Sequence, residues 1–281
     1  MNSGVRHIAY EIGEVEPYIN WIYFDYAWGV GGKAPEERDR LRGDAARLLR
    51  EIDGNYHTHA LFGIFDAHSE GDDIIVGDVR IPMLRQQTPH SEGQPCLCLS
   101  DFIAPASASV QESSVYAQIG VFAATVDRAL THDMAGDDPY QKMLVQTVAD
   151  RLAEATAEKL HHEVRTRYWG YAPDEQLTMS QIHAEQFQGI RPAIGYPSLP
   201  DTSVNFILSD LLDMKQIDIR LTESGMMTPH ASVSGFMFAH PQAHYFSLGK
   251  IGEDQLRDYA RRRGVPVELM RGFLANSILT S

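Results

Sequence analysis

Apolar residues recur at helical spacing in several segments of the chain. Over residues 35–52 they form one stripe, with Pro35 and two acidic residues at the start and Gly54 after the end, which predicts a helix. The longest periodic segment, Tyr140–Tyr168, predicts a helix that spans roughly 43 Å. Further helices are predicted from a capping box at Thr178 to Phe187, over 202–214, over 253–263 and after Pro266.

Apolar runs bounded by turn residues predict strands between these helices. Segments 59–67 and 72–81 flank the turn HSEG, and SVSGFMFA and HYFSLG flank the turn HPQA, which is typical of two β-hairpins. CLCLSDFI and YAQIGVFAATV predict two more strands. Because hairpins dominate and no β-α-β unit repeats, the order predicts an α+β fold with antiparallel sheet rather than a parallel one.

Composition narrows the class of partner. The 281 residues carry a formal net charge of −14, which argues against nucleic-acid binding. No apolar run reaches the ~18 residues of a membrane span, and the first residues do not resemble a signal peptide, so we expect a cytoplasmic protein that does not bind membranes. The one basic cluster, at residues 257 and 261–263, is expected to be a solvated helix end, with a docking patch for an acidic partner as the less favoured alternative.

No common catalytic motif is present, and we expect no metal site and no catalytic residue. The adjacent histidines 161 and 162 are expected to be solvated. The remaining candidate is a ligand-binding site. Glu185, Arg191 and Tyr196 lie within twelve residues of one another, around the stiff loop RPAIGYP. Arginine binds carboxylates, glutamate binds ammonium groups, and an aromatic face binds cations or base rings. The set would suit an amino acid with an extra cationic or aromatic part, although most Arg–Glu pairs are structural.

The segments QFQGIRPAIGYPSLPD, IDIRLTES and ASVSGFMFAHPQAHYFSLGK closely resemble the activation domain of cobalamin-dependent methionine synthase. LSDFIAP, GVFAAT and the INW near the start also have counterparts. The resemblance covers residues 18–274 and is strongest over 140–274. It implies one domain over residues 1–281, C-shaped in this family, with antiparallel sheets and helices, that binds S-adenosylmethionine.

The resemblance also assigns roles by matching motif positions. Arg191 would bind the methionine carboxylate of S-adenosylmethionine, and the backbone of Ala193 would contact its adenine end. Tyr196 would line the site. Glu185 would act near the ligand, and Tyr245 would lie close to the sulfonium.

One position departs from the family pattern. Asn20 stands where the family has an aspartate that helps to hold the ligand's ammonium group, so a charge is missing there. Losing a charge-assisted bond costs roughly 1–2 kcal/mol. Asp25, five residues further on, is one candidate to compensate.

The family implies a reactivation role: one-electron reduction, coupled to methyl transfer from S-adenosylmethionine, converts inactive cob(II)alamin back to methylcobalamin. The homocysteine, folate and cobalamin modules do not fit in this chain, so the cobalamin is expected on a partner, a methionine synthase subunit. Flavodoxin or another electron donor would be a further partner. The active site would be completed in trans. Two alternatives are reactivation of another corrinoid methyltransferase and a non-catalytic docking or sensing module with weakened ligand binding.

Overall fold

The computed structural model describes residues 4–32, 35–89, 91–107 and 115–279. Within these residues the strands are β1 (Arg6–Glu11), β2 (His57–Asp66), β3 (His68–Glu70), β4 (Asp73–Val76), β5 (Val79–Pro82), β6 (Gln118–Val126), β7 (Arg220–Leu221), β8 (Met227–Thr228) and β9 (Ser232–Met237). They form a four-stranded sheet in the order β1-β2-β6-β9, a three-stranded sheet β3-β4-β5 and the pair β7-β8. The strand pairs are antiparallel.

The α-helices of the same residues are α1 (Ile12–Val15), α2 (Trp21–Ala27), α3 (Pro35–Ile52), α4 (Arg128–Ala135), α5 (Pro139–Glu163), α6 (Met179–His183), α7 (Val204–Leu212), α8 (Glu253–Arg263) and α9 (Val267–Phe273). The α+β prediction with antiparallel sheets is therefore confirmed. Among the described helices, none is both long and apolar enough to cross a membrane.

The large sheet separates two apolar cores. Strand β6 is buried over almost its whole length, and its alternate residues face opposite sides. Phe122 and Ala124 join Leu152 of α5 in one core, whereas Val121 and Ala123 join Leu208 of α7 in the other. A strand covered on both faces reads as a continuous apolar run, which explains why the sequence predicted β6 correctly.

Helix α5 crosses one face of the sheet and carries much of the cavity described below. Asp138 caps its start by accepting a hydrogen bond from the Tyr140 N–H at 3.1 Å, and Pro139 occupies the first turn. After Glu163 the chain continues as a π-helix over Val164–Tyr168. The predicted helix over 140–168 is confirmed, except that its last turn is π.

The other helices follow their local signals. The bounds of α3 and α8 agree with the prediction, and Gly264 ends α8 with a φ of 65°. Helices α7 and α9 lie where they were expected. Helix α6 begins at the predicted capping box of Thr178 but ends at His183, earlier than Phe187. It ends early because Glu185 adopts a left-handed φ of 56°.

The first predicted hairpin is wrong in its pairing. Strand β2 pairs with β1 and β6, and not with β3, β4 or β5, the strands that directly follow it. The first three residues of HSEG form strand β3 itself, and a turn at residues 71–72 joins β3 to β4. The long apolar β2 finds its partners far along the chain, which local turn residues do not reveal.

Two further predicted strands are wrong. HYFSLG does not return as a hairpin partner of β9, because the free edge of β9 is already paired with the loop around residues 190–194. CLCLSDFI forms a 3₁₀ turn over Leu99–Phe102, since the Asp101 carboxylate accepts a hydrogen bond from the Cys98 N–H at 2.8 Å.

The basic end of α8 is only partly solvated. Arg257 and Arg261 are exposed as expected, but the side chains of Arg262 and Arg263 are largely buried. Arg262 binds Asp73 of β4 and the carbonyl of Met83, and Arg263 donates to the Ser203 hydroxyl at 2.8 Å. The expectation of a solvated cluster fails because neighbouring segments supply partners for these two residues.

Candidate functional site

A cavity of about 530 Å³ lies between α5, the start of α2 and the loops around residues 183–185, 191–198 and 245–247. Its size is within the range of small-molecule sites. The structure brings all six residues singled out in the sequence to its wall: Asn20, Glu185, Arg191, Ala193, Tyr196 and Tyr245. Their part in binding a ligand remains a prediction, but the sequence segments that carry them do meet.

The loop Arg191–Pro197, which its prolines predicted to be stiff, is held against the sheet. The Ile194 N–H donates to the carbonyl of Ser234 at 2.9 Å, and the Phe236 N–H donates to the carbonyl of Pro192 at 3.1 Å. A Cβ on Gly235 would lie 2.2 Å from that carbonyl oxygen, so only glycine allows this approach. The loop therefore extends the sheet at the free edge of β9 and presents its side chains in fixed positions.

Arg191 places a largely buried cation at the cavity. Its side chain is 11% exposed, and Nη2 lies 3.0 Å from Glu158 Oε2 of α5. The guanidinium also lies 5.8 Å from the centre of the Phe122 ring. Burial alone would lower the pKa of Arg191, but the nearby carboxylate of Glu158 raises it, so the side chain stays charged. A charged guanidinium in this position can bind a carboxylate.

Two tyrosines flank the arginine. The backbone N–H of Arg191 donates to the Tyr245 hydroxyl oxygen at 2.9 Å, and the Tyr196 hydroxyl donates to Glu154 Oε1 at 2.7 Å. Burial raises the pKa of Tyr245 to about 12 and also raises the pKa of Tyr196. Both phenols are therefore neutral near pH 7, and each offers an aromatic surface to the cavity.

Glu185 reaches the cavity from the turn that ends α6. It is a non-glycine residue with a φ of 56°, a conformation that is uncommon outside functional or tightly packed turns. Partial burial, together with the carboxylate of Glu158, raises its pKa, against the opposing effect of Arg191. The turn thus holds an acid near the arginine, in agreement with their spacing in the sequence.

Asn20 lies at the cavity wall and begins α2. Its side-chain oxygen accepts a hydrogen bond from the Ile22 N–H at 3.2 Å, so it acts as the helix N-cap. Asp25 does not compensate for the missing charge. Its buried carboxylate accepts a hydrogen bond from Arg42 Nε at 3.0 Å and does not line the cavity.

The charged residues of α5 were missed in the sequence. Arg151, Glu154 and Glu158 follow one another at i, i+3 and i+7, and all three line the cavity. A polar stripe on an amphipathic helix normally faces water, which is why the pattern carried no prediction. One available signal was that small and apolar residues occur on several sides of α5, in which twelve of the 25 residues are buried.

The expectation that His161 is solvated is wrong. His161 is fully buried, and its Nε2 lies 3.4 Å from the Tyr171 hydroxyl. The next turn of the helix holds another buried group, Arg165, which makes two hydrogen bonds to Glu175 and stacks 4.0 Å from the centre of the Phe187 ring. Phe187 closely follows the turn of Glu185. The buried side chains of His161 and Arg165 therefore support one wall of the cavity.

A D-x-H-x-x-G string, the pattern of cobalamin-binding modules, occurs at residues 66–71. In the structure it forms the end of β2, strand β3 and a tight turn. Asp66 accepts a hydrogen bond from Gln118 at 3.1 Å, and His68 Nε2 lies 3.4 Å from Glu70 Oε1. These contacts give the string a structural role in an antiparallel hairpin.

The fold and the cavity define the class first: an α+β domain whose cavity is lined by a largely buried arginine, three acids and aromatic rings. The sequence matches the family model described as "Vitamin B12 dependent methionine synthase, activation domain" over residues 11–264. A solved structure, "Crystal Structure of the MetH Reactivation Domain bound to AdoHcy", is 36% identical, with a TM-score of 0.88 over 99% of this chain and 91% of that chain. The chain belongs to this activation domain family, and the resemblance read from the sequence is confirmed.

Proposed function

We propose that the cavity binds S-adenosylmethionine and that the chain is the reactivation component of a methionine synthase system. One observation supports this proposal above all. The six residues that match the family's motif positions lie around one cavity, and one of them is the largely buried, charged Arg191. The similar MetH reactivation domain is described as bound to AdoHcy, a ligand with the same amino-acid and adenosine ends.

The charge of the cavity fits this ligand. Its lining includes the carboxylates of Glu154, Glu158 and Glu185 and the guanidiniums of Arg151 and Arg191, which leaves a formal charge of −1. S-adenosylmethionine carries an ammonium, a sulfonium and a carboxylate, and its net charge is +1. Complementary charge of this kind favours the ligand over neutral or anionic nucleosides.

The residues of this chain would bind and orient the ligand. Arg191 would hold its carboxylate, the backbone of Ala193 its adenine end, and Tyr196 and Tyr245 would enclose the sulfonium region. When bound, S-adenosylmethionine would supply an activated methyl group that needs no general base. The contribution of the protein is then positioning, which agrees with the lack of a catalytic acid–base motif in the sequence.

The methyl acceptor would be cobalamin on a partner protein, with flavodoxin or a similar protein as electron donor and the reaction taking place in the cytoplasm. The family membership supports this assignment. Reactivation of a different corrinoid methyltransferase would use the same cavity. A sensing module is the second alternative, because the neutral Asn20 weakens one ligand contact of the family.

The test is a calorimetric titration of the protein with S-adenosylmethionine, alongside Arg191→Ala. We expect binding that is at least tenfold weaker in the variant, since a charged hydrogen-bond partner of the ligand is removed. Arg261→Ala, which changes an exposed arginine on α8, is the matched control and should bind as the wild type does. Equal affinity of Arg191→Ala and wild type would contradict the proposed site.

A second experiment tests the role in trans. A purified cob(II)alamin-loaded methionine synthase partner is given reductant and S-adenosylmethionine, and methylcobalamin is followed by its absorbance. We expect faster methylation when this chain is present. Tight ligand binding without any acceleration, tried with methionine synthase and with other corrinoid proteins, would favour the sensing module.

A further inference from the structure

The guanidinium of Arg191 is paired with a carboxylate of α5. Glu158 Oε2 and Arg191 Nη2 are 3.0 Å apart, and the two side chains are 16% and 11% exposed. Both residues line the cavity. An ion pair at a cavity wall can be purely structural, so the question is whether the pair has bonding capacity left for a ligand.

Both partners do retain such capacity. Arg191 Nε and Glu158 Oε1 are buried atoms that have no hydrogen-bond partner among the residues that the structure describes. A buried charged group with an unmet donor or acceptor destabilises the structure that holds it. Each of the two atoms has almost no accessible surface, so a ligand that brings an acceptor and a donor side by side would satisfy both after a small rotation of the two side chains towards the cavity.

The α-amino-acid end of a ligand has that arrangement, because its carboxylate and ammonium are attached to one carbon. An acid that receives the ammonium must therefore lie next to the arginine that receives the carboxylate. Glu158 does. Three other side chains of the wall are less well placed: Asn20 is neutral and caps α2, Glu154 accepts the hydrogen bond of Tyr196, and Glu185 forms no ion pair with Arg191 in the described part of the chain.

We infer that Glu158 binds the ammonium group of the ligand through Oε1 while its Oε2 holds Arg191 in place. Glu158 thereby supplies the negative charge that Asn20 does not. This inference rests on the proposed function, because it concerns the amino-acid end of S-adenosylmethionine in the same cavity. It makes Glu158 a specificity-determining residue for ligands that carry a free α-amino group.

The experiment compares two ligands in calorimetric titrations of the full chain. One is S-adenosylmethionine, and the other is its analogue with hydrogen in place of the α-amino group. We expect Glu158→Gln to weaken binding of S-adenosylmethionine about tenfold or more and to leave the affinity for the analogue within about twofold. Asp150→Asn, on the same helix but outside the cavity lining, should change neither affinity.

A second variant covers the case in which Glu158→Gln does not fold. Glu158→Asp keeps the charge, and we expect it to keep the preference for the ligand with the amino group, although at lower affinity. Equal weakening of both ligands by Glu158→Gln would overturn the inference, since Glu158 would then act only by placing Arg191. Unchanged binding of both would overturn it as well. Failure of the wild type to bind S-adenosylmethionine would instead overturn the proposed function itself.

Discussion

At the scale of single residues, the buried His161 makes the stability of the folded protein depend on pH. Burial, with the nearby positive charges of Arg165 and Arg191, holds its pKa well below the ordinary value of 6.5. The imidazole is therefore neutral in the folded protein. In the unfolded chain it gains a proton as the pH falls through about 6.5, so acid shifts the equilibrium towards unfolding.

We predict that the free energy of unfolding falls by about 1.4 kcal/mol between pH 7.5 and pH 5.5 through this one group. His161→Leu should lack that part of the pH dependence, because leucine does not titrate. Urea denaturation at both pH values measures it, and the difference between wild type and variant removes the contributions of all other groups.

The matched control is His132→Leu, since the side chain of His132 is 91% exposed. Its curve should follow the wild type closely at both pH values. If wild type and His161→Leu lost equal stability on acidification, His161 would have to be accessible to protons in the folded state, contrary to its burial.

The residues of the site were predictable to different degrees. Glu185, Arg191 and Tyr196 lie within twelve residues of one another, and their chemistry alone indicated a binding loop. Tyr245 and Asn20 are distant in sequence, and only the family resemblance linked them to that loop. Glu158 was not predicted, because a helix sequence does not show which of its polar faces a tertiary cavity will cover.

At the scale of elements, the loop of Arg191 depends on strand β9. Gly235 faces the loop so closely that a Cβ would lie 2.2 Å from the Pro192 carbonyl oxygen and 2.9 Å from Ala193 Cα. We predict that Gly235→Ala lowers the free energy of unfolding by about 2–3 kcal/mol, since backbone must move to relieve the contact. Binding of S-adenosylmethionine should weaken as well, because Arg191 and Ala193 move with the loop.

A different glycine provides the control for the substitution itself. Gly43 lies on the exposed face of α3, and a Cβ at this position would have no neighbouring atom within 4 Å. Gly43→Ala should raise the free energy of unfolding by roughly 0.5–1 kcal/mol, since alanine favours helix. Chemical denaturation of both variants checks the pair, and a Gly235→Ala protein as stable as wild type would argue against the described packing of the loop.

Elements with local signals were predictable, whereas their partners were not. Helices α3 and α8 have acidic first turns, apolar stripes and glycine after their ends, and their bounds agreed with the structure. Strand β2 was recognised as a strand but assigned to the wrong neighbour. Strand pairing is decided by packing between segments that lie far apart in the chain, and hairpin turn residues favour only the nearest candidate.

At the scale of the whole molecule, the cavity draws on distant parts of the chain. Asn20 comes from near the beginning, Glu158 from the middle and Tyr245 from near the end. The central sheet has the same character, because it pairs β1 with β2, β2 with β6 and β6 with β9. A ligand that binds all three parts is therefore expected to stabilise the chain as one unit.

This expectation leads to a prediction for calorimetric unfolding. The chain should unfold in one transition, and S-adenosylmethionine at 100 times its Kd should stabilise the folded state by about 2.7 kcal/mol. For a chain of this length that corresponds to a Tm increase of about 5 °C. Arg191→Ala should show a clearly smaller increase at the same ligand concentration.

The shape of the trace decides whether residues 1–281 act as one domain. Two transitions, of which the ligand shifts only one, would mean that part of the chain folds independently of the cavity. A single transition that shifts as a whole would mean that formation of the cavity and folding of the sheet are one event. Destabilising substitutions outside the cavity would then lower the apparent affinity in proportion to the fraction of molecules that they unfold, because only the folded state binds.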